Sequence, residues 1–276
     1  MKRIASLLML AARSTLWKAA GITLASCLTE AGLFLAALSG WQDTVRTAYY
    51  EYSNPMGLEG LLMQYPLSWC FRIGLVLVCA VLAFLGWEGS SRVSYTLRRL
   101  SVGHRALTLL WAGYGFFCLL FFWAAHLGTL LALCAAALPR LAPEFSGPQA
   151  LFLACYRDPY LHSLLPLDDC LLWVRNLSMC AALGTAAASF SFQRRMGRRA
   201  FAILPLAALS ALCFPLPMGS FEFGGPAEFL RPYLYDGIFY SADGLPSVLG
   251  PALLFVSLCA LAASLCQILR RDPYEE

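Results

Sequence analysis

The sequence has little charge, few histidines and none of the short motifs that mark common soluble enzymes. Charged residues make up 13% of its 276 residues and hydrophobic residues 59%, whereas about 25% of an ordinary soluble domain is charged. It contains no GxxxxGK[ST], HExxH or GxSxG motif, which excludes the nucleotide, zinc-protease and serine-hydrolase sites that these motifs mark. We therefore predict a chain that is not an enzyme, with no catalytic residues and no cofactor.

The eleven cysteines do not follow metal-ligand spacing. Nine of them fall inside apolar runs, where a thiol behaves as a small apolar side chain. No CxxC pair occurs, and no histidine has a carboxylate at metal-ligand spacing, so no metal site is predicted. Cys155 and Cys170 lie in or beside a polar segment, and the sequence leaves open whether they form a disulfide.

What the sequence has instead is long apolar runs. A helix needs roughly 20 apolar residues to cross a hydrocarbon core of about 30 Å, and six runs come close enough to predict six transmembrane helices. They leave too little polar chain for a separate catalytic domain, so residues 1–276 are predicted to form a single all-α transmembrane domain. The predicted spans are 19–40, 67–87, 106–138, 170–191, 200–217 and 248–269.

Basic residues fall mainly on one side of these spans. Fourteen of the twenty lie at the two ends of the chain and in the links after the second and fourth spans. Because cytoplasmic segments carry the excess of lysine and arginine, we expect both termini in the cytoplasm. The net charge of +4 is then explained by topology and anionic lipid, and it gives no support for binding nucleic acid. The expected location is the cytoplasmic membrane of a bacterium.

Residues 2–17 are predicted to form an amphipathic helix in the cytoplasmic interface. Lys2, Arg3 and Arg13 fall on one side of a helical projection, and Ile4 and Leu7 fall on the other. The alternative is an ordinary basic flank that precedes the first span.

Four ionisable residues lie inside predicted spans, where such residues are costly and often functional. At 1.5 Å per residue, their positions along alternating spans place all four in one broad outer layer. Three interpretations remain open: a Glu–Arg pair that fixes helix packing, a polar patch on a cargo route, and a proton-coupling role for the glutamate. The residues of this layer are Glu30, Arg72, His126 and Arg175.

The link between the second and third spans carries a recognisable pattern. An acidic residue directly follows the second span. The third span is preceded by a Thr-Leu-x-x-Leu run, a small residue, a valine and a basic residue. With the six spans and the interfacial helix, this pattern resembles the permease subunits of ABC-2 type transporters. The residues are Glu88, Thr96, Leu97, Leu100, Ser101, Val102 and Arg105.

The resemblance implies a partner and a mechanism. Such permeases pair as homo- or heterodimers with separate ATPase subunits, which the interfacial helix and the link would contact, and they export lipids, polysaccharides, peptides or drugs. Thr96, Leu97, Leu100, Val102 and Arg105 would then couple the chain to the ATPase. Two alternatives are a secondary transporter or channel that uses the Glu/Arg layer, and a membrane scaffold or sensor subunit that transports nothing.

Overall fold

The described part of the chain is almost entirely helical. This computed structural model describes residues 2–47, 57–63, 66–84, 104–141, 146–167, 169–195, 203–214 and 245–269. Of these residues, 91% are helical and none lies in a strand, so the predicted all-α class is confirmed. The helices are α1 (Lys2–Thr47), α2 (Leu58–Met63), α3 (Ser68–Ala83), α4 (His104–Ala137), α5 (Ala150–Arg157), α6 (Pro159–Leu164), α7 (Cys170–Arg195), α8 (Ile203–Cys213) and α9 (Leu245–Leu269).

Four helices contain segments long and apolar enough to cross a membrane. These segments are Ala11–Gly40, Arg105–Arg140, Cys170–Arg194 and Gly250–Leu269. The chain is thus an integral membrane protein by the length and composition of its helices. α3 and α8 are apolar but have only 16 and 11 residues, or about 24 and 16 Å of helix. The first ends at Ala83 with a turn at Phe84, earlier than the predicted span 67–87.

The first helix has no break between the predicted interfacial segment 2–17 and the predicted span 19–40. α1 runs continuously from Lys2 to Thr47. The prediction divided the chain at Arg13 and Lys18, but a charge at an exposed position does not interrupt a helix, and no proline lies between them. Within this continuous helix, the Ser14 and Thr15 hydroxyls donate to the Ala11 carbonyl. Thr15 also contacts the Tyr114 hydroxyl of α4 at 3.0 Å.

Large apolar side chains cover the outside of the helix bundle. Phe117 and Phe121, one turn apart on α4, are 68% and 64% exposed, and Phe255 on α9 is 69% exposed. Soluble monomers rarely expose apolar stripes of this kind. These faces are suited to lipid contact.

The third long helix, α7, is the most buried of the four. In its most apolar window 67% of residues are buried, against 22 to 33% in the other three long helices. Small residues allow this close packing. A Cβ atom added at Gly184 would lie 2.7 Å from the Phe116 nitrogen of α4, and one added at Gly115 would lie 3.2 Å from Gly184 Cα. α4 and α7 therefore cross with almost no side chain between their backbones.

Candidate functional site

A carboxylate and an imidazole meet in the interior of the bundle. Glu30 of α1 and His126 of α4 are both completely buried. The Nδ1 atom of His126 lies 2.7 Å from Oε2 of Glu30. The sequence prediction placed both residues in one layer, and the structure brings them into direct contact.

The second oxygen of Glu30 binds a tyrosine from the segment between α4 and α7. The Tyr160 hydroxyl donates to Glu30 Oε1 over 2.9 Å. Tyr160 lies on α6, whose first residue is Pro159 and whose N-cap residue is Asp158. The Asp158 carboxylate accepts from the Leu161 amide at 2.7 Å. Asp at the N-cap followed by Pro is a strong helix start. Burial raises the pKa of Tyr160, and the neighbouring carboxylate raises it further, so the phenol remains a donor.

A serine fixes the orientation of the imidazole ring. Ser26 Oγ lies 3.0 Å from His126 Nε2 and 2.9 Å from the Thr23 carbonyl oxygen. The imidazole tautomer sets the direction of the contact between Ser26 Oγ and Nε2. The 2.7 Å contact between Nδ1 and Glu30 Oε2 holds one proton, on either the imidazole or the carboxyl group.

Cys27 completes this group on α1, three residues before Glu30. The ligating atoms of Cys27, Glu30 and His126 all lie within 4.8 Å of one another, and all three residues are buried. We call Ser26, Cys27, Glu30, His126 and Tyr160 the Glu30 site. It joins α1, α4 and α6.

Aromatic rings line the Glu30 site. The centroid of the His126 ring is 4.6 Å from that of Phe122 and 5.3 Å from that of Phe71. Phe71 also stacks on Phe214 at 4.2 Å. Interactions among polar groups are stronger in such apolar surroundings, and an unpaired polar group is more costly there.

A second buried polar group lies beyond Phe214, and we call it the Arg175 cluster. Arg175 Nη2 donates to the Phe214 carbonyl at 2.8 Å and to Asn176 Oδ1 at 3.2 Å. Asn176 Nδ2 donates to the Ser163 carbonyl at 2.8 Å. Both side chains are fully buried. The cluster thus ties α7 to the end of α8 and to α6.

The remaining residue of the predicted layer, Arg72 on α3, is half-buried. Its guanidinium lies 5.0 Å from the centre of the Trp69 ring. Its Nε atom has no hydrogen-bond partner among the described residues. The acid in the layer is bound by His126 and Tyr160, so the structure gives Glu30 partners other than the arginines considered from the sequence.

Most of the predicted ATPase-coupling residues lie outside the described part of the chain. This applies to Thr96, Leu97, Leu100 and Val102. Arg105 lies in the first turn of α4 and is half-buried. Of the two cysteines in the disulfide question, Cys155 is buried, Cys170 is exposed, and both are free.

Sequence reasoning missed Tyr160, Ser26 and Cys27 as members of the site. For Tyr160 a signal existed, because Asp158-Pro159 marks a helix start inside a segment that was read as an external loop. For Ser26 and Cys27 the signal was weaker, since only their spacing from Glu30, four and three residues, places them near its face of a helix. No local pattern links them to His126, which lies 96 residues beyond Glu30.

Comparisons with known proteins give no relative for this chain. No family model matches it, and neither a curated protein nor a solved structure shows significant similarity.

Proposed function

We propose that the chain is the transmembrane permease subunit of an ATP-driven exporter of the ABC-2 type, with ATP hydrolysed by a separate subunit. The observation that carries the proposal is the Thr-Leu-x-x-Leu link between two apolar helices, in a chain with no nucleotide-binding motif. The link joins α3 to α4. Its cargo would be a lipid, peptide, polysaccharide or drug-like molecule.

The order of the apolar helices supports this assignment. Four long and two short apolar helices occur in the order that six spans require. With the basic links on the cytoplasmic side, both ends of the chain face the cytoplasm and the link after α3 is accessible to a soluble ATPase. The start of α1 carries Lys2 and Arg3, which suits contact with anionic lipid head groups or with that ATPase.

Two substitutions in the link test the partnership. Leu97 and Leu100 are three residues apart, so on a helix they form one apolar edge that can dock on a partner. We expect Leu97→Asp or Leu100→Asp to abolish co-purification with a co-expressed P-loop ATPase subunit, while membrane insertion is unchanged. Ser94→Asp adds the same charge in the same link outside the pattern and should leave co-purification intact.

The outcome separates this function from the others. Co-purification that survives both leucine substitutions would count against coupling through the link. Absence of any co-purifying ATPase, together with uptake or release driven by an ion gradient, would favour a secondary transporter.

A specific observation favours that second candidate, a secondary transporter or channel. Glu30 and His126 are in direct contact inside the helix bundle, and buried carboxylate–imidazole pairs are suited to proton relay. In this case ion-driven transport should be lost in Glu30→Gln, although the protein still inserts. The ABC-2 proposal requires no such loss when the fold is retained.

A further inference from the structure

We infer that Cys27, Glu30 and His126 form a binding site for a divalent transition-metal ion of the Zn²⁺ class. The inference stands apart from the permease proposal, because metal content can be measured on this chain without an ATPase or a cargo. It rests on four properties of the Glu30 site: its donor atoms, their spacing, its outer contacts and its charge.

The donor set suits zinc. A thiolate, an imidazole nitrogen and a carboxylate oxygen are the three ligand types that proteins offer to Zn²⁺. Cys27 and Glu30 are three residues apart on α1, so both lie on the helix face that meets His126 of α4. Harder ions such as Mg²⁺ and Ca²⁺ prefer sites made of oxygen alone, which excludes them as the preferred occupants.

The spacing suits one shared ion. The three ligating atoms lie within 4.8 Å of one another. Metal–ligand bonds of about 2.0 to 2.3 Å in a tetrahedral arrangement place donor atoms roughly 3.3 to 3.6 Å apart. Small side-chain rotations would therefore bring all three donors to bonding distance without moving α1 relative to α4.

The outer contacts are already those of a metal site. His126 Nε2 lies 3.0 Å from Ser26 Oγ, which leaves Nδ1 as the nitrogen that faces Glu30. Tyr160 holds the other oxygen of the carboxylate at 2.9 Å. Metal-binding histidines commonly donate their second N–H, and metal-binding carboxylates are commonly hydrogen-bonded in the same manner.

Charge balance explains how a cation could lie among Phe71, Phe122 and the other apolar groups. A Cys27 thiolate and a Glu30 carboxylate together neutralise a 2+ ion, and His126 binds as the neutral imidazole. Binding displaces two protons, one from the thiol and one shared by Glu30 and His126. The complex has no net charge, so no unbalanced charge is buried.

The rival explanation is a hydrogen-bonded group that only packs α1, α4 and α6 together. It accounts for Glu30, His126 and Tyr160, and for Cys27 through a side-chain hydrogen bond with Thr129 of α4, but it requires no bound ion. The amount of metal bound by the unsubstituted chain and by a Cys27 variant therefore distinguishes the two explanations.

The experiment uses the purified full-length chain in detergent, stripped of metal and reloaded with Zn²⁺ or Co²⁺. We expect one tightly held ion per chain. X-ray absorption of the zinc form should show one sulfur among its nearest neighbours, and the cobalt form should show a thiolate-to-metal charge-transfer band. Both measurements use the unsubstituted chain, so they remain informative if a variant fails to fold.

Matched cysteine variants assign the ion to the site. Cys27→Ala should weaken the affinity for the ion roughly tenfold or more and remove the sulfur signal. Cys180→Ala, at a buried cysteine of α7 outside the Glu30 site, should leave both unchanged. Failure of the unsubstituted chain to retain an ion, a zinc spectrum without sulfur, or equal retention by Cys27→Ala would each overturn the proposal.

Discussion

The Glu30 site and the Arg175 cluster are both polar groups inside the helix bundle, but their side chains bind different kinds of partner. In the Glu30 site, side chains bind other side chains, and a carboxylate oxygen, a ring nitrogen and a thiol converge on one point. In the Arg175 cluster, side chains also bind the main-chain carbonyls of Phe214 and Ser163.

The difference indicates different roles. A side chain that donates to a carbonyl at a helix end satisfies a group that the helix itself leaves unpaired, and so it fastens α8 and α6 to α7. Converging acceptors satisfy no backbone group, and they leave a position where a proton or a metal ion is stabilised. We therefore assign stability to the Arg175 cluster and ligand chemistry to the Glu30 site.

The largest effect should come from the α4–α7 crossing, on which the packing of the bundle depends. Gly184→Ala places a Cβ atom 2.7 Å from the Phe116 nitrogen and 3.0 Å from the Ala112 carbonyl oxygen. Backbone atoms cannot rotate away, so we expect a loss of about 3 kcal/mol in the free energy of unfolding in mixed micelles.

Gly113 on the same helix α4 provides the control. A Cβ atom added there meets nothing within 4 Å, so Gly113→Ala should be neutral or stabilising by up to about 1 kcal/mol. Equal losses for the two variants would show that the crossing is not the tight point of the fold.

A somewhat smaller loss should follow removal of the arginine from its cluster. Arg175→Met leaves the Phe214 carbonyl and Asn176 Oδ1 without this donor, which should cost about 2 to 3 kcal/mol. Arg72→Met is the comparison, because Arg72 is half-buried and its ring contact at 5.0 Å is worth about 1 kcal/mol or less. A larger loss for Arg72→Met in the same unfolding assay would contradict the structural role of the Arg175 cluster.

The smallest effect should come from the tyrosine of the Glu30 site. Tyr160→Phe removes one hydrogen bond to Glu30 Oε1 and should cost about 1 kcal/mol. Tyr114→Phe removes a partly buried hydroxyl that contacts Thr15 and Cys118, neither of which is charged, so it should cost less. A Tyr160→Phe variant with unchanged free energy of unfolding, together with a larger loss in Tyr114→Phe, would contradict this. The hydrogen bond from Tyr160 to Glu30 would then contribute little to stability.

The sequence predicts the class of this fold well, because lipid imposes a simple requirement of long apolar helices. It is less reliable at helix boundaries. Arg13 and Lys18 suggested a division that α1 does not have, since charges at exposed positions cost a helix little. α3 ends at Ala83, before the apolar run does.

For the candidate site, the sequence predicts only how deep in the membrane its residues lie. Counting 1.5 Å per residue places Glu30, Arg72, His126 and Arg175 in one layer, but it does not say which helices are neighbours or which faces meet. α1 packs against α4, and that contact brings Glu30 to His126. Tyr160 enters from α6, between two spans, so no count along a span could include it.

A double-mutant cycle tests the central claim, that Glu30 belongs with His126 in a site separate from the arginine cluster. The free energy of unfolding is measured for Glu30→Gln combined with His126→Gln, and for Glu30→Gln combined with Arg175→Gln. Residues in contact couple, whereas separate residues give additive losses. We predict a coupling of at least about 1 kcal/mol for Glu30 with His126, and additivity within about 0.5 kcal/mol for Glu30 with Arg175. Additivity with His126, or a strong coupling with Arg175, would contradict the account.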